Sequence, residues 1–132
     1  MRCYIGIGSN LGDRQGNIDS AVQKLRKATG IEVKKISRIY ETESVGGPPQ
    51  PKYLNGVIEI ETEFAPRQIL DILQDIENRI GRIRTVRNAP RVIDLDILTC
   101  ANLKIDEPDL KIPHPRMAER DFVKEPLKDL MQ

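Results

Sequence analysis

Arg2–Gly8 (RCYIGIG) is a short apolar run closed by Gly-Ser-Asn, the pattern of a strand entering a turn. From Asp13 the period lengthens. Ile18, Ala21, Val22 and Leu25 recur at helical spacing, Asp13 can cap the first turn, and Gly30 supplies a stop. Ile31–Glu41 reads as a second strand whose alternation slips at Lys35-Ile36, as a bulge would cause. Two glycines and three prolines then make Thr42–Lys52 a loop. Tyr53–Phe64 alternates most clearly, with Leu54, Ile58, Ile60 and Phe64 on one face and Tyr53, Asn55, Glu59, Glu61 and Glu63 on the other. Pro66 opens a second helix with Ile69, Leu73, Ile76 and Ile80 as its buried stripe and Gly81 at its end. Val92–Thr99 is the fourth strand. The proline-punctuated tail from Asn102 predicts short helical pieces around Arg116–Asp121 and Glu125–Leu130.

The resulting order, β-α-β-β-α-β, predicts an α+β ferredoxin-like two-layer sandwich with a C-terminal extension. Its mainly antiparallel sheet has both helices on one face and leaves the other face available. At 132 residues the chain fits one domain, 1–132, large enough to bury a core.

Composition narrows the function classes. Charged residues make up 31% and aromatics only 4%, an ordinary soluble globular balance. Twenty-one Lys+Arg against 20 Asp+Glu leave a formal charge of +1, so no chain-wide electrostatic trap for nucleic acid exists and functional charge must be local. No apolar run approaches the length of a membrane span and no leader pattern opens the chain, so a cytoplasmic protein without membrane or nucleic-acid partners is expected. Cys3 and Cys100 are too few for a disulfide framework and read as two free, partly buried thiols; whether they approach one another is open.

The anomaly that suggests chemistry is Asp94-Leu95-Asp96 inside a strand. Carboxylates at i and i+2 project from one face about 7 Å apart, while Ile93, Leu95 and Ile97 face the other way. Such a pair suits a hard divalent cation completed by substrate phosphates, or alternatively a solvated face with arginine partners. Arg79, Arg82, Arg84, Arg87 and Arg91 lie just upstream without an acidic residue among them. Alone they read as a solvated basic loop or a nucleic-acid contact; with the aspartates, phosphoryl chemistry is the better reading. Gly6, Gly8 and Gly12 fit neither a dinucleotide fingerprint nor a P-loop, and permit a tight turn and close packing beside the active face. His114, in Ile112-Pro113-His114-Pro115, sits on a stiff extended segment, where a lone histidine is more often structural. Phe122 is either core or a stacking platform.

Together, Gly8-Ser9-Asn10-Leu11-Gly12-Asp13-Arg14, Tyr40-Glu41-Thr42, Gln50-Pro51-x-Tyr53-Leu54-Asn55, Glu77 with Gly81-Arg82-x-Arg84, Pro90-Arg91-x-x-Asp94-Leu95-Asp96-Ile97-Leu98, Ile112-Pro113-His114-Pro115-Arg116 and Glu119-Arg120-x-Phe122 are specific. The chain resembles the 6-hydroxymethyl-7,8-dihydropterin pyrophosphokinases of folate biosynthesis from Tyr4 to about Leu127. The resemblance implies transfer of the β,γ-pyrophosphoryl group of ATP to the pterin hydroxymethyl oxygen, by direct in-line displacement, releasing AMP. It implies Asp94 and Asp96 as ligands of two Mg²⁺ ions and, with Arg82 and Arg91, as the catalytic set. Gln74, Glu77, Arg82, Arg84, Arg91, Ile97, His114 and Arg120 match the ATP side. Thr42, Val45, Gly46, Tyr53, Asn55, Asp94 and Phe122 match the pterin side, with Tyr53 and Phe122 sandwiching the ring. ATP and the pterin are then the partners, the chain is expected to act as a monomer, and loops 42–52 and 81–91 are expected to close over the reactants. Two departures stand out: Asn88-Ala89 replace a tryptophan that members often carry before the Pro-Arg motif, and Asp109 and Lys111 stand where some members have Arg and Thr. The rivals are a metal-dependent transferase with another substrate, which gives Asn55 and Phe122 no role, and a ferredoxin-like RNA-binding module, which the Glu59/Glu61/Glu63 face opposes.

Overall fold

The first strand, β1 (Arg2–Ser9), lies at the centre of the sheet because alternate residues Cys3, Ile5 and Ile7 are wholly apolar and bury against the helices. The computed structural model describes residues 1–43, 50–82, 90–115, 128 and 130. Helix α1 (Arg14–Lys27) starts where the Asp13 carboxylate accepts the Gly16 N–H at 3.0 Å, and it buries Ile18, Ala21, Val22 and Leu25, the predicted stripe. After β2 (Ile31–Ile36), β3 (Tyr40–Thr42) and β4 (Tyr53–Thr62), helix α2 (Pro66–Ile80) begins with Pro66 in its first turn and ends at Gly81 with φ +108°. β5 (Asp94–Cys100) completes the main sheet, and β6 (Ile105–Glu107) with β7 (Leu110–Ile112) forms a separate hairpin.

The strand order is β2-β4-β1-β5, with β3 also pairing with β4, and every pairing is antiparallel. This is the expected α+β ferredoxin-like arrangement. A core of β1, β4 and β5 residues with Ile18, Leu25, Ile69 and Leu73 fills the space between sheet and helices. No helix among the described residues is long and apolar enough to cross a membrane.

Several boundaries differ from the sequence reading. Ile31–Glu41 is not one strand but β2 and β3, because Ser37 intervenes: its N–H donates to Val57 O at 2.9 Å and its Oγ accepts from Val57 N–H at 2.8 Å. The slip expected at Lys35-Ile36 falls instead between Val33 and Lys35. β4 stops at Thr62 rather than Phe64, because Thr62 Oγ1 donates to Gly30 O at 2.7 Å and accepts from Phe64 N–H at 3.1 Å, turning the chain. The last strand begins at Asp94, not Val92, and an unforeseen hairpin precedes His114. Lys128 and Leu130 are helical; the helix expected at 116–121 lies outside the described residues.

Nor is the second sheet face wholly open. Val57, Leu98 and Leu130 form a small apolar cluster there with Tyr4, so Leu130 covers part of that face. Arg2 and Glu59 extend that part, with Tyr4 Oη donating to the buried Glu59 carboxylate at 2.9 Å. Cys3 and Cys100 are direct cross-strand partners, both fully buried free thiols.

Gly30 has φ +89°, and a Cβ there would sit 2.4 Å from the Phe64 ring. Left-handed backbone costs an L-residue roughly 1–2 kcal/mol, and the ring would also have to move. Gly30→Ala is therefore expected to lower unfolding free energy by about 2–3 kcal/mol in urea titration, with an unchanged m-value.

Candidate active site

Gly6 and Gly8 alternate with the core-facing isoleucines of β1, so they lie on the sheet face away from the helices. The register places Gly8 between Asn55 of β4 and Asp94 of β5, and Gly6 between Val57 and Asp96. A glycine floor thus separates two walls, with Tyr53 and Asn55 on one side and Asp94 and Asp96 on the other. Neighbouring strands are about 4.8 Å apart, so the walls stand roughly 10 Å from each other, room for a flat ring or a phosphate chain. The floor must be bare: a Cβ on Gly8 would lie 2.6 Å from Asn55 Oδ1 and 3.4 Å from the Tyr53 ring.

On the β4 wall, the buried Asn55 donates from Nδ2 to Thr42 Oγ1 at 2.5 Å, which fixes its amide plane. Tyr53 pairs with Thr42 across β3 and β4. Burial first, and then the nearby Asp94 charge, raise the Tyr53 phenol above its ordinary pKa. Thr42, Tyr53 and Asn55 are therefore gathered in one place, whereas Val45, Gly46 and Phe122 lie outside the described residues.

On the opposite wall, Asp94 accepts from Arg82 Nη1 at 3.1 Å through Oδ1 and from Arg91 Nη1 at 3.0 Å through Oδ2. The arginine-partnered reading of the aspartates thus describes Asp94 as it stands. It does not describe Asp96, which makes no hydrogen bond or ion pair to any described residue. Burial first, then the charges of Asp94 and Glu77, push the Asp96 carboxyl up to about 7, against the pull of Arg91 and Arg82. This end of the trough is short of positive charge. Among the described residues no three His, Cys, Asp or Glu side chains gather into a self-sufficient metal cage. Two carboxylates left to share an ion with substrate phosphates are nevertheless the donor set magnesium commonly takes.

Glu77 was not foreseen in its actual role. It is 2% exposed, accepts from the Leu95 N–H at 2.9 Å and from Arg82 Nη1, and its carbonyl also accepts the Arg82 N–H at 3.0 Å. It therefore ties the end of α2 to the outer edge of β5 and holds Arg82 by both backbone and side chain. Gln74, one turn earlier, is exposed. The Ile97 side chain lies in the core on the far face of β5, so only its backbone could meet a ligand. His114 follows a cis Ile112–Pro113 bond, not the simple extended segment expected, and its N–H donates to Leu98 O at 2.8 Å. Asp109 pairs with Arg67 at 2.6 Å and Lys111 with Asp106 at 2.5 Å, which ties these positions to the helix start and the hairpin. Arg84 and Arg120 lie outside the described residues. So do the Asn88-Ala89 positions that replace the tryptophan.

Residues 4–132 match the family model described as 7,8-dihydro-6-hydroxymethylpterin-pyrophosphokinase. The chain belongs to that family. It is 45% identical over 129 residues to the 2-amino-4-hydroxy-6-hydroxymethyldihydropteridine pyrophosphokinase of Bacillus subtilis, covering 98% of this chain and 77% of that one. A protein of the same name from Pseudomonas aeruginosa is 39% identical over 130 residues, covering 98% of this chain and 80% of its own. The folic acid synthesis protein fol1 of Schizosaccharomyces pombe is 43% identical over 124 residues, 94% of this chain but only 17% of that much longer protein. Membership makes the chain an enzyme, a pyrophosphokinase of folate biosynthesis. The glycine-floored trough and its facing walls lie within the residues that the family model matches.

Proposed function

We propose that the protein, acting in the cytoplasm as a single domain over 1–132, transfers the β,γ-pyrophosphoryl group of ATP to 6-hydroxymethyl-7,8-dihydropterin. The hydroxymethyl oxygen bonds to the β-phosphorus, the bond from that phosphorus to the α,β-bridging oxygen breaks, AMP leaves with that oxygen, and the hydroxyl proton passes to solvent. The observation that carries this reading is Asp96: a half-buried carboxylate without a described partner, beside Asp94, across a bare glycine floor from Asn55 and Tyr53.

Asn55 and Tyr53 suit a flat, hydrogen-bonding heterocycle, since one offers a fixed amide and the other an aromatic ring on the same wall. Asp94 and Asp96 would hold magnesium, two ions on the family pattern, which when bound supplies neutralisation and orientation of the triphosphate. Arg82 and Arg91 now neutralise Asp94. Arriving phosphate oxygens offer the same guanidinium groups a bidentate alternative, so both arginines can exchange Asp94 for the nucleotide and counter charge as the β-phosphorus is transferred. Positioning and electrostatics then account for the rate, and no side chain is assigned as an indispensable general base.

The test is incubation with Mg²⁺, ATP and the hydroxymethyl-dihydropterin while AMP and ADP are followed separately. AMP formed only when the pterin is present supports the proposal; ADP, or no turnover by folded protein, refutes it. Gly8→Ala should displace the Asn55 amide and cost about one hydrogen bond, raising KM for the pterin about tenfold while KM for ATP stays within about twofold. Steady-state kinetics varying each substrate in turn checks this.

A further inference from the structure

We propose that Asn10 is a positioning residue that couples the pterin side of the site to the nucleotide side. The inference rests on the proposed function and adds to it a residue that links the two halves.

Asn10 is fully buried at the end of β1, and its backbone N–H and both ends of its side-chain amide find partners on two separate segments. The backbone N–H donates to Arg91 O at 3.0 Å, and Oδ1 accepts the Arg91 N–H at 2.8 Å. Its Nδ2 donates to Gln50 Oε1 at 2.6 Å and to Pro51 O at 3.1 Å. Arg91 is the residue whose guanidinium holds Asp94, three positions further on. Gln50 and Pro51 lead directly into Tyr53 and Asn55. Because Oδ1 and Nδ2 belong to one planar amide, movement of either segment turns the group that holds the other. The neighbouring Arg14 fastens the pterin-side segment again, donating to Lys52 O at 2.9 Å and pairing with Glu41 at 3.0 Å. The turn that leads from Asn10 into α1 is itself anchored, since Asn17 Nδ2 donates to Leu11 O at 2.9 Å and to Ser9 Oγ at 3.3 Å. A ligand that fixes one segment therefore pre-sets the other, which is a coupling free energy between two binding sites.

Titration calorimetry with magnesium α,β-methylene-ATP and the hydroxymethyl-dihydropterin measures it, as the ratio of pterin affinities with and without the nucleotide analogue. Wild type should show a ratio of at least about fivefold, and Asn10→Ala should bring it close to one. Asn17→Ala, which loosens the same turn without touching either segment, should keep the wild-type ratio. A merely structural Asn10 would lower the melting temperature of both variants and leave the ratio alone. If Asn10→Ala does not fold, Gln50→Ala, which removes the shorter of the two bonds on the pterin-side arm, must lower the ratio. A wild-type ratio of one, a ratio unchanged by Asn10→Ala or Gln50→Ala, or an equal loss in Asn17→Ala overturns the proposal. Wild-type protein that forms no AMP defeats the proposed function instead, which the turnover assay reads separately.

Discussion

Replacing Asp96 with Asn is expected to abolish turnover, by at least about a thousandfold in kcat, while making the ligand-free protein more stable above neutral pH. Asn fills the same volume but removes a negative charge from a place where Asp94 and Glu77 already oppose it. In the native state burial and these neighbours raise the Asp96 pKa from 3.8 to about 7. Between those values the folded protein binds a proton that the unfolded chain has released, so wild-type stability falls as pH rises from about 4 to 7 and is level beyond. Above pH 7 the shift corresponds to a native-state cost on the order of 2–4 kcal/mol, which the Asp96→Asn variant escapes. Urea unfolding in EDTA at pH 5 and pH 8 reads it: the variant should be the more stable at both, by a margin clearly larger at pH 8 than at pH 5. Equal stability at both pH values would mean that Asp96 is well solvated or paired, and its suitability for a cation would go with it. The opposed signs matter, because a residue that weakens the empty protein and is needed for turnover is kept for its ligand.

The helices and β1 were legible because their apolar spacing is regular and each ends on a residue with one evident job, such as Asp13 as cap and Gly81 in left-handed backbone. The break between β2 and β3 was not. A serine replaces one rung of the ladder with its own hydroxyl, and in a pattern of side chains that looks like continued alternation. At the site, the Asp94/Asp96 pair stood out because two carboxylates on one strand face are unfavourable without a cation. Asn10 gave no such signal, since an asparagine after a strand is also what a plain turn uses, and only the tertiary contacts separate the two. In the sequence Gly8 marks only a tight turn and close packing; the strand register makes it the floor between Asn55 and Asp94. Glu77 did leave a trace. It is four residues after Leu73 and three before Ile80, in step with the apolar stripe of α2, and a carboxylate on a helix's buried face must meet a donor there.

That buried carboxylate gives the largest expected loss of stability. Glu77→Ala leaves the Leu95 N–H at the edge of β5 without its acceptor and leaves the Arg82 guanidinium, 9% exposed, with Asp94 alone. Breaking a buried charged pair on one side costs about 3–5 kcal/mol, a large share of what a domain of this size has to spare. Glu77→Gln keeps an oxygen for Leu95 N–H but gives up the charge opposite Arg82, so a loss of about 1–2 kcal/mol is expected. Activity should not follow the same scale. Arg82 is held in place by Glu77 and Asp94 together, and without the Glu77 charge it swings toward Asp94 and away from where phosphate oxygens would meet it. Glu77→Gln should therefore lower kcat by about a hundredfold at a temperature where it remains folded, with KM for the pterin unchanged. Chemical denaturation and kinetics on the same preparations separate the two effects. A Gln variant with full activity would make Glu77 a support for the β5 edge alone, and a variant whose pterin KM rises with its loss of stability would show that the whole trough, rather than Arg82, depends on it.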